Sequence, residues 1–192
     1  MNKSRLEAFS DGVLAIIITI MVLELKTPHG TSLRTLIPLI PVFMSYVLSF
    51  IYVGIYWNNH HHMMQLVKKV NGSVLWANLH LLFWLSLFPF ATAWMGENHY
   101  ETWPVVMYGG VMLMASIAYY ILVRTLIKLH GQESDVAKAY GKDVKGKIST
   151  GIYVFAILSS FISSWIGIFC YILVAAIWFI PDTRVEKTIA NE

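Results

Sequence analysis

The sequence predicts an all-α membrane protein with six transmembrane helices per chain. Three observations carry that expectation. Of 192 residues, 57% are hydrophobic and only 13% are charged, against about 25% charged in an ordinary soluble domain. The charges are clustered, which leaves uncharged apolar runs near the roughly 20 residues needed to cross a bilayer. Lysine and arginine crowd alternate segments between those runs.

The first helix is expected over residues 4–25. Ser4 and Glu7 have capping-box spacing, and Pro28 and Gly30 follow the last apolar residues. The run contains Asp11 and Glu24 and lacks a small-residue cleavage site, so it reads as a retained helix and not a signal peptide. The second helix covers 33–60, its outer end loosened by Pro38 and Pro41. The third covers 73–95 with a kink at Pro89, followed by the polar turn Gly96-Glu97-Asn98-His99. The fourth covers 103–128, with Pro104 in its first turn and Gly131 beyond its end. Gln132 to Lys147 form the longest polar segment, too short to fold alone. The fifth and sixth helices cover 148–163 and 166–180. At about 16 residues, or about 24 Å each, they fall short of a hydrocarbon core of about 30 Å. Trp165 and Trp178 in the interfaces would complete two crossings, the second ending before Pro181; one re-entrant hairpin is the alternative. No repeat or low-complexity tract divides the chain, so residues 1–192 read as one domain.

Orientation follows from charge. One side collects Lys3, Arg5, Lys68, Lys69, Arg124, Lys128, Lys138, Lys142, Lys145, Lys147, Arg184 and Lys187; the other has only Lys26 and Arg34. The rich side is expected to be cytoplasmic, and six spans then leave both termini there. The net charge of +3 reflects this bias and not a nucleic-acid partner. The chain has no P-loop, GxGxxG or CxxC pair, and its lone cysteine, Cys170, excludes an intramolecular disulfide.

The most informative segment is Arg5-x-x-x-Phe9-Ser10-Asp11-Gly12. Asp11 lies about 10 Å into the first helix, where an unpaired charge costs about 3 kcal/mol or more. Side chains at similar depth come from the end of the second helix (Trp57, Asn58, Asn59, His60) and the start of the third. They predict a polar cluster of Ser10, Asp11, His60 or His61, Asn78 and His80, with Arg5 reaching toward water. Two readings stay open: a network that fixes helix packing, and a proton-sensing gate, since histidine titrates near neutral pH. His60, His61 and His62 point about 100° apart and cannot chelate one ion from one chain, so no metal is assigned. The Gly109-Gly110 pair allows close helix approach.

Ile16, Thr19, Ile20 and Leu23 form one stripe of the first helix. In lipid, apolar residues occur all round a helix, so this stripe alone does not separate a pore lining from a lipid-facing surface. Glu24 at its outer end would concentrate cations in a vestibule or pair with Lys26 or Arg34.

The Arg5-x-x-x-Phe9-Ser10-Asp11-Gly12 start, with Ala15-Ile16-x-x-Thr19 and Pro28, resembles the transmembrane protein 175 family of endosomal and lysosomal potassium channels and their prokaryotic relatives. Tyr56-Trp57-x-x-His60-His61, Asn78 and Pro89-Phe90-x-Thr92 agree with that plan. Animal members carry two six-helix repeats; this chain has one and is similar to prokaryotic members. The resemblance implies a homotetramer in a prokaryotic plasma membrane with the first helix lining a central pore. It implies a hydrophobic constriction at Ile16, a pore-facing Thr19, further bottleneck layers at Ile20 and Leu23, and potassium as permeant ion. It implies no cofactor and no enzymatic activity. Dewetted rings of Ile and Leu favour the less tightly hydrated potassium over sodium, but modestly; no carbonyl filter of TVGYG type is present. No helix carries the spaced arginines of a voltage sensor, which leaves a leak-like conductance. The alternative is a proton-permeable channel or proton-coupled transporter using Asp11 and the histidines, against which stands the absence of inverted repeats. A membrane metalloenzyme ranks last, because no second ligand cluster accompanies the histidines.

Overall fold

A computed structural model describes residues 3–179. The described chain is helical throughout: α1 (Lys3–Leu23), a 3-10 turn (Leu33–Leu39), α2 (Ile40–Gln65), α3 (Gly72–Ser86), α4 (Phe88–Glu97), α5 (Thr102–His130), α6 (Asp135–Tyr140), α7 (Val144–Ser159) and α8 (Ser164–Phe179). Among the described residues, four helical segments are long and apolar enough to cross a membrane: Lys3–Leu23, Leu33–Gln65, Gly72–Glu97 and Thr102–His130. α7 and α8 have 16 residues each. The expected end of the last helix at Ile180, the stop at Pro181, and Arg184 and Lys187 lie outside the described residues.

The boundaries depart from expectation where local chemistry decides. α1 is already helical at Lys3, the first described residue, so Ser4 lies within the helix, and Glu7 meets Lys3 Nζ at 4.0 Å. The segment expected as one helix with a kink at Pro89 is two helices joined at Leu87. Pro89 has no N–H to give to Leu85 and its ring crowds that carbonyl; the Leu87 N–H turns back to Leu85 O and Trp84 O. The second helix opens as a 3-10 turn containing Pro38 and becomes α-helical at Ile40, with Pro41 in its first turn. α7 starts four residues before the expected 148 because Asp143 caps it, Oδ1 accepting the Gly146 N–H at 2.8 Å. The polar loop hides a short helix, α6, capped by Ser134.

α5 is the hub. It packs on α3, α4, α6, α7 and α8, and Val105, Met112, Ala115, Ala118, Leu122 and Leu126 along it are fully buried. Gly109 permits this. The Tyr171 hydroxyl lies where a Cβ would stand and donates to Val105 O at 3.0 Å. Gly110 faces open space. Polar groups inside the bundle are satisfied by one another, as burial away from water requires. Ser49 Oγ bonds Thr92 Oγ1 at 2.7 Å and the Tyr108 hydroxyl at 3.0 Å, and the Tyr52 hydroxyl donates to Tyr171 O. Gly109→Ala is expected to lower stability by about 1–3 kcal/mol through overpacking, while Gly110→Ala stays neutral; thermal melts of the two purified variants check the difference.

The helix ends remote from the N-terminus are tied together. The turn after α4 holds His99 and Tyr100 in left-handed backbone (φ 51° and 63°), and the Tyr100 hydroxyl anchors it by donating to Pro41 O at 2.8 Å. Lys26, beyond α1, meets Glu97 at 2.6 Å. That hydrogen bond and the Glu97 charge raise the lysine pKa.

Candidate permeation helix and its polar anchor

α1 has two faces with opposite fates. Leu6, Ser10, Leu14, Ile17 and Met21 are buried against α2, α3 and α4. The other face is left uncovered among the described residues: Ile16 is 58% exposed, Ile20 41% and Leu23 79%, and Thr19 is exposed between them. The stripe from Ile16 to Leu23 rises about 10 Å. Thr19 Oγ1 donates back to Ile16 O at 2.8 Å. That commits its proton to the helix and leaves its oxygen lone pairs facing outward as acceptors. Glu24 is exposed just beyond, and its neighbour Lys26 is engaged by Glu97.

Three side chains from three helices hold the buried face in place. Ser10 Oγ donates to Leu6 O at 2.9 Å, Asn78 Nδ2 donates to Ser10 Oγ at 2.9 Å, and Asn78 Oδ1 lies 2.8 Å from His60 Nε2. Because the Asn78 oxygen can only accept, the His60 proton sits on Nε2. All three residues are buried.

Asp11 belongs to a different, exposed group. Its Oδ1 accepts from Trp57 Nε1 at 3.1 Å, and His61 stacks on the Trp57 ring at 5.9 Å. A cavity of about 320 Å³ lined by Ser4, Glu7, Ala8, Asp11, His60 and His61 opens beside it. The expected cluster is thus two sets, Ser10–Asn78–His60 inside and Asp11–Trp57–His61 at the surface. Arg5 and Phe9 are exposed. His80 joins neither set: its Nε2 accepts from Trp84 Nε1 at 3.0 Å on its own helix. Two residues past Asn78 it stands about 200° round the helix, so both cannot face α1. Trp57 stands at the depth expected for a partner of Asp11 but outside the expected cluster. Its signal was position, since it stands one helical turn before His61. Among the described residues no three His, Cys, Asp or Glu side chains converge as metal ligands would.

The family model for the endosomal/lysosomal potassium channel TMEM175 matches residues 5–89, the stretch that holds α1, its stripe and all three anchor residues. Over 98% of its length, and 98% of the other's, the chain is 58% identical to a potassium channel of Chryseobacterium sp. (strain P1-3). The chain belongs to the TMEM175 family. A solved TMEM175 member, described as a lysosomal potassium-selective channel homolog from Chamaesiphon minutus, superposes with a TM-score of 0.80 at 28% identity, over 92% of this chain and 95% of that one. A TMEM175 of Gallus gallus, named an endosomal/lysosomal proton channel, is 26% identical over 70% of this chain and 30% of its own.

Proposed function

We propose that the chain is a potassium channel of the plasma membrane of a prokaryote, in which four copies of α1 surround a central pore. The single observation that carries this reading is the division of α1: one face is locked into its own chain by Ser10, Asn78 and His60, and the other leaves Ile16, Ile20 and Leu23 uncovered. One helix cannot enclose a pore; four around an axis can. Rings of these side chains form a dewetting constriction, Thr19 oxygens supply a partial ligand ring, and Glu24 lines the outer vestibule. Permeation is leak-like and favours potassium over sodium because potassium gives up hydration more easily. The homologous potassium channels support the choice of ion.

Six spans complete the subunit, with α3 and α4 forming one crossing and α7 and α8 forming the last two. Exposed Trp165 at the start of α8 and half-buried Trp178 near its end suit the interfaces of such short helices. Both termini then lie on the lysine-rich cytoplasmic side.

A second reading, proton permeation through Asp11, Glu7, His60 and His61, is favoured by the cavity these residues share and by the name of the vertebrate relatives. Purified protein in liposomes separates the two. Under a potassium gradient we expect faster flux than under an equal sodium gradient, and potassium flux retained in Asp11→Asn. Flux that is absent for both cations, or that follows the pH gradient alone and vanishes in Asp11→Asn, would replace the first reading with the second.

A further inference from the structure

A cavity of about 350 Å³ lies between α2, α5, α7 and α8, with no residue of α1 in its lining. Its walls are largely aromatic, from Tyr52, Tyr56, Tyr119, Tyr153 and Trp178. The helices around it are tied to one another by hydrogen bonds. Ser116 Oγ and Thr150 Oγ1 are 3.0 Å apart, Trp178 Nε1 donates to Ser149 Oγ at 2.8 Å, and the Tyr119 hydroxyl donates to Asn59 O at 3.3 Å. An apolar chamber fixed in this way is a preformed binding site.

Its exposed lining residues, Tyr120 and Lys147, mark the mouth, and cations surround it. The Arg124 guanidinium sits 5.0 Å over the Tyr120 ring with Nε donating to the hydroxyl at 2.9 Å, and Lys145 Nζ lies 5.9 Å from the Trp178 ring. The carboxylate in the lining, Asp143, is engaged as the cap of α7. An aromatic chamber beneath a basic mouth, at the lysine-rich end of a membrane bundle, matches an amphiphile with an anionic head. Basic pockets between transmembrane helices on the cytoplasmic side hold anionic lipid headgroups.

We propose that this cavity binds an anionic phospholipid of the adjacent leaflet, with an acyl chain among the tyrosines and its phosphate against Lys147, Lys145 and Arg124. The site is separate from the α1 face and leaves the conduction reading untouched.

The test uses the full chain in phosphatidylcholine nanodiscs doped with acyl-brominated phosphatidylglycerol or, in parallel, acyl-brominated phosphatidylcholine. Bromine quenches tryptophan on contact, and the difference between wild type and Trp178→Phe isolates the Trp178 signal. Brominated phosphatidylglycerol is expected to quench Trp178 at a several-fold lower mole fraction than brominated phosphatidylcholine. Lys147→Gln should weaken that preference roughly fivefold, and Ile55→Phe, which grows into the chamber, should reduce quenching by both lipids. Equal quenching by the two lipids, or a preference unchanged in Lys147→Gln, would overturn the proposal. Loss of the preference on adding inorganic phosphate would also overturn it, by assigning the basic mouth to a free anion. Because Lys147 is exposed, its variant keeps the test decisive even if Ile55→Phe folds poorly.

Discussion

Ile16→Asn is expected to raise potassium conductance several-fold and to bring the potassium-over-sodium preference close to unity in single-channel recordings. The reason is the nature of the barrier. In the proposed tetramer, four isoleucine side chains round an axis would present no group that replaces lost water, so entry would cost partial dehydration and the ion that dehydrates more easily would pass more often. Four asparagines supply amide oxygens and admit water, which lowers the barrier for both ions and most for sodium. Each tenfold of lost discrimination corresponds to about 1.4 kcal/mol of differential barrier. Position separates this effect from general damage. Ile17, one residue on, is 3% exposed and packed in the core, so Ile17→Asn should lower stability without the conductance gain. Ile20→Asn, on the same face as Ile16, should act in the same direction. Currents and selectivity that are identical in wild type and Ile16→Asn would remove this residue from the pore.

The parts of the fold that were legible in the sequence are those fixed by length and by proline. The four long apolar segments could be read from run length, and the break near Pro89 from a missing donor. α6 was invisible, because a six-residue helix in a polar loop has no apolar period to betray it and depends on the Ser134 cap. The polar cluster was legible in depth but not in azimuth. Counting residues from the membrane edge brought Ser10, His60 and Asn78 to one level, and they meet there. The same count admitted His80, Asp11 and His61, which the 100° step per residue sends elsewhere. Ser10 and Asp11 are adjacent in sequence, yet one is buried and the other exposed. The stripe proposed to line the pore was the least legible. Its exposure becomes informative only once the opposite face is seen packed on three helices.

Asn78→Leu is the second large effect, expected to cost about 1–3 kcal/mol. Leucine has the same branched four-atom side-chain skeleton as asparagine, so no cavity forms and the loss is chiefly polar. In water-soluble cores, stranding a buried donor or acceptor costs about 1–3 kcal/mol each, and here Ser10 Oγ and His60 Nε2 would both lose Asn78. Within membranes measured interhelical hydrogen bonds average only about 0.6 kcal/mol, because the unfolded state in the bilayer also finds partners. That argues for a value below the sum of two stranded groups. Ser10 keeps its bond to Leu6 O, which leaves His60 as the group most affected. If Asn78, held by His60, fixes the rotation of α1 through Ser10, a turn of one residue, about 100°, would carry Ile17 to the place of Ile16. A structural lock therefore predicts a lower melting temperature together with altered selectivity at every pH. A gate predicts near-normal stability with a changed pH dependence of flux, since His60 would lose its partner Asn78. Melting curves and flux measured from pH 5 to 8 on Asn78→Leu, alongside Ser10→Ala, which spares His60, distinguish the two. A variant that matches wild type in both would deny the network either role.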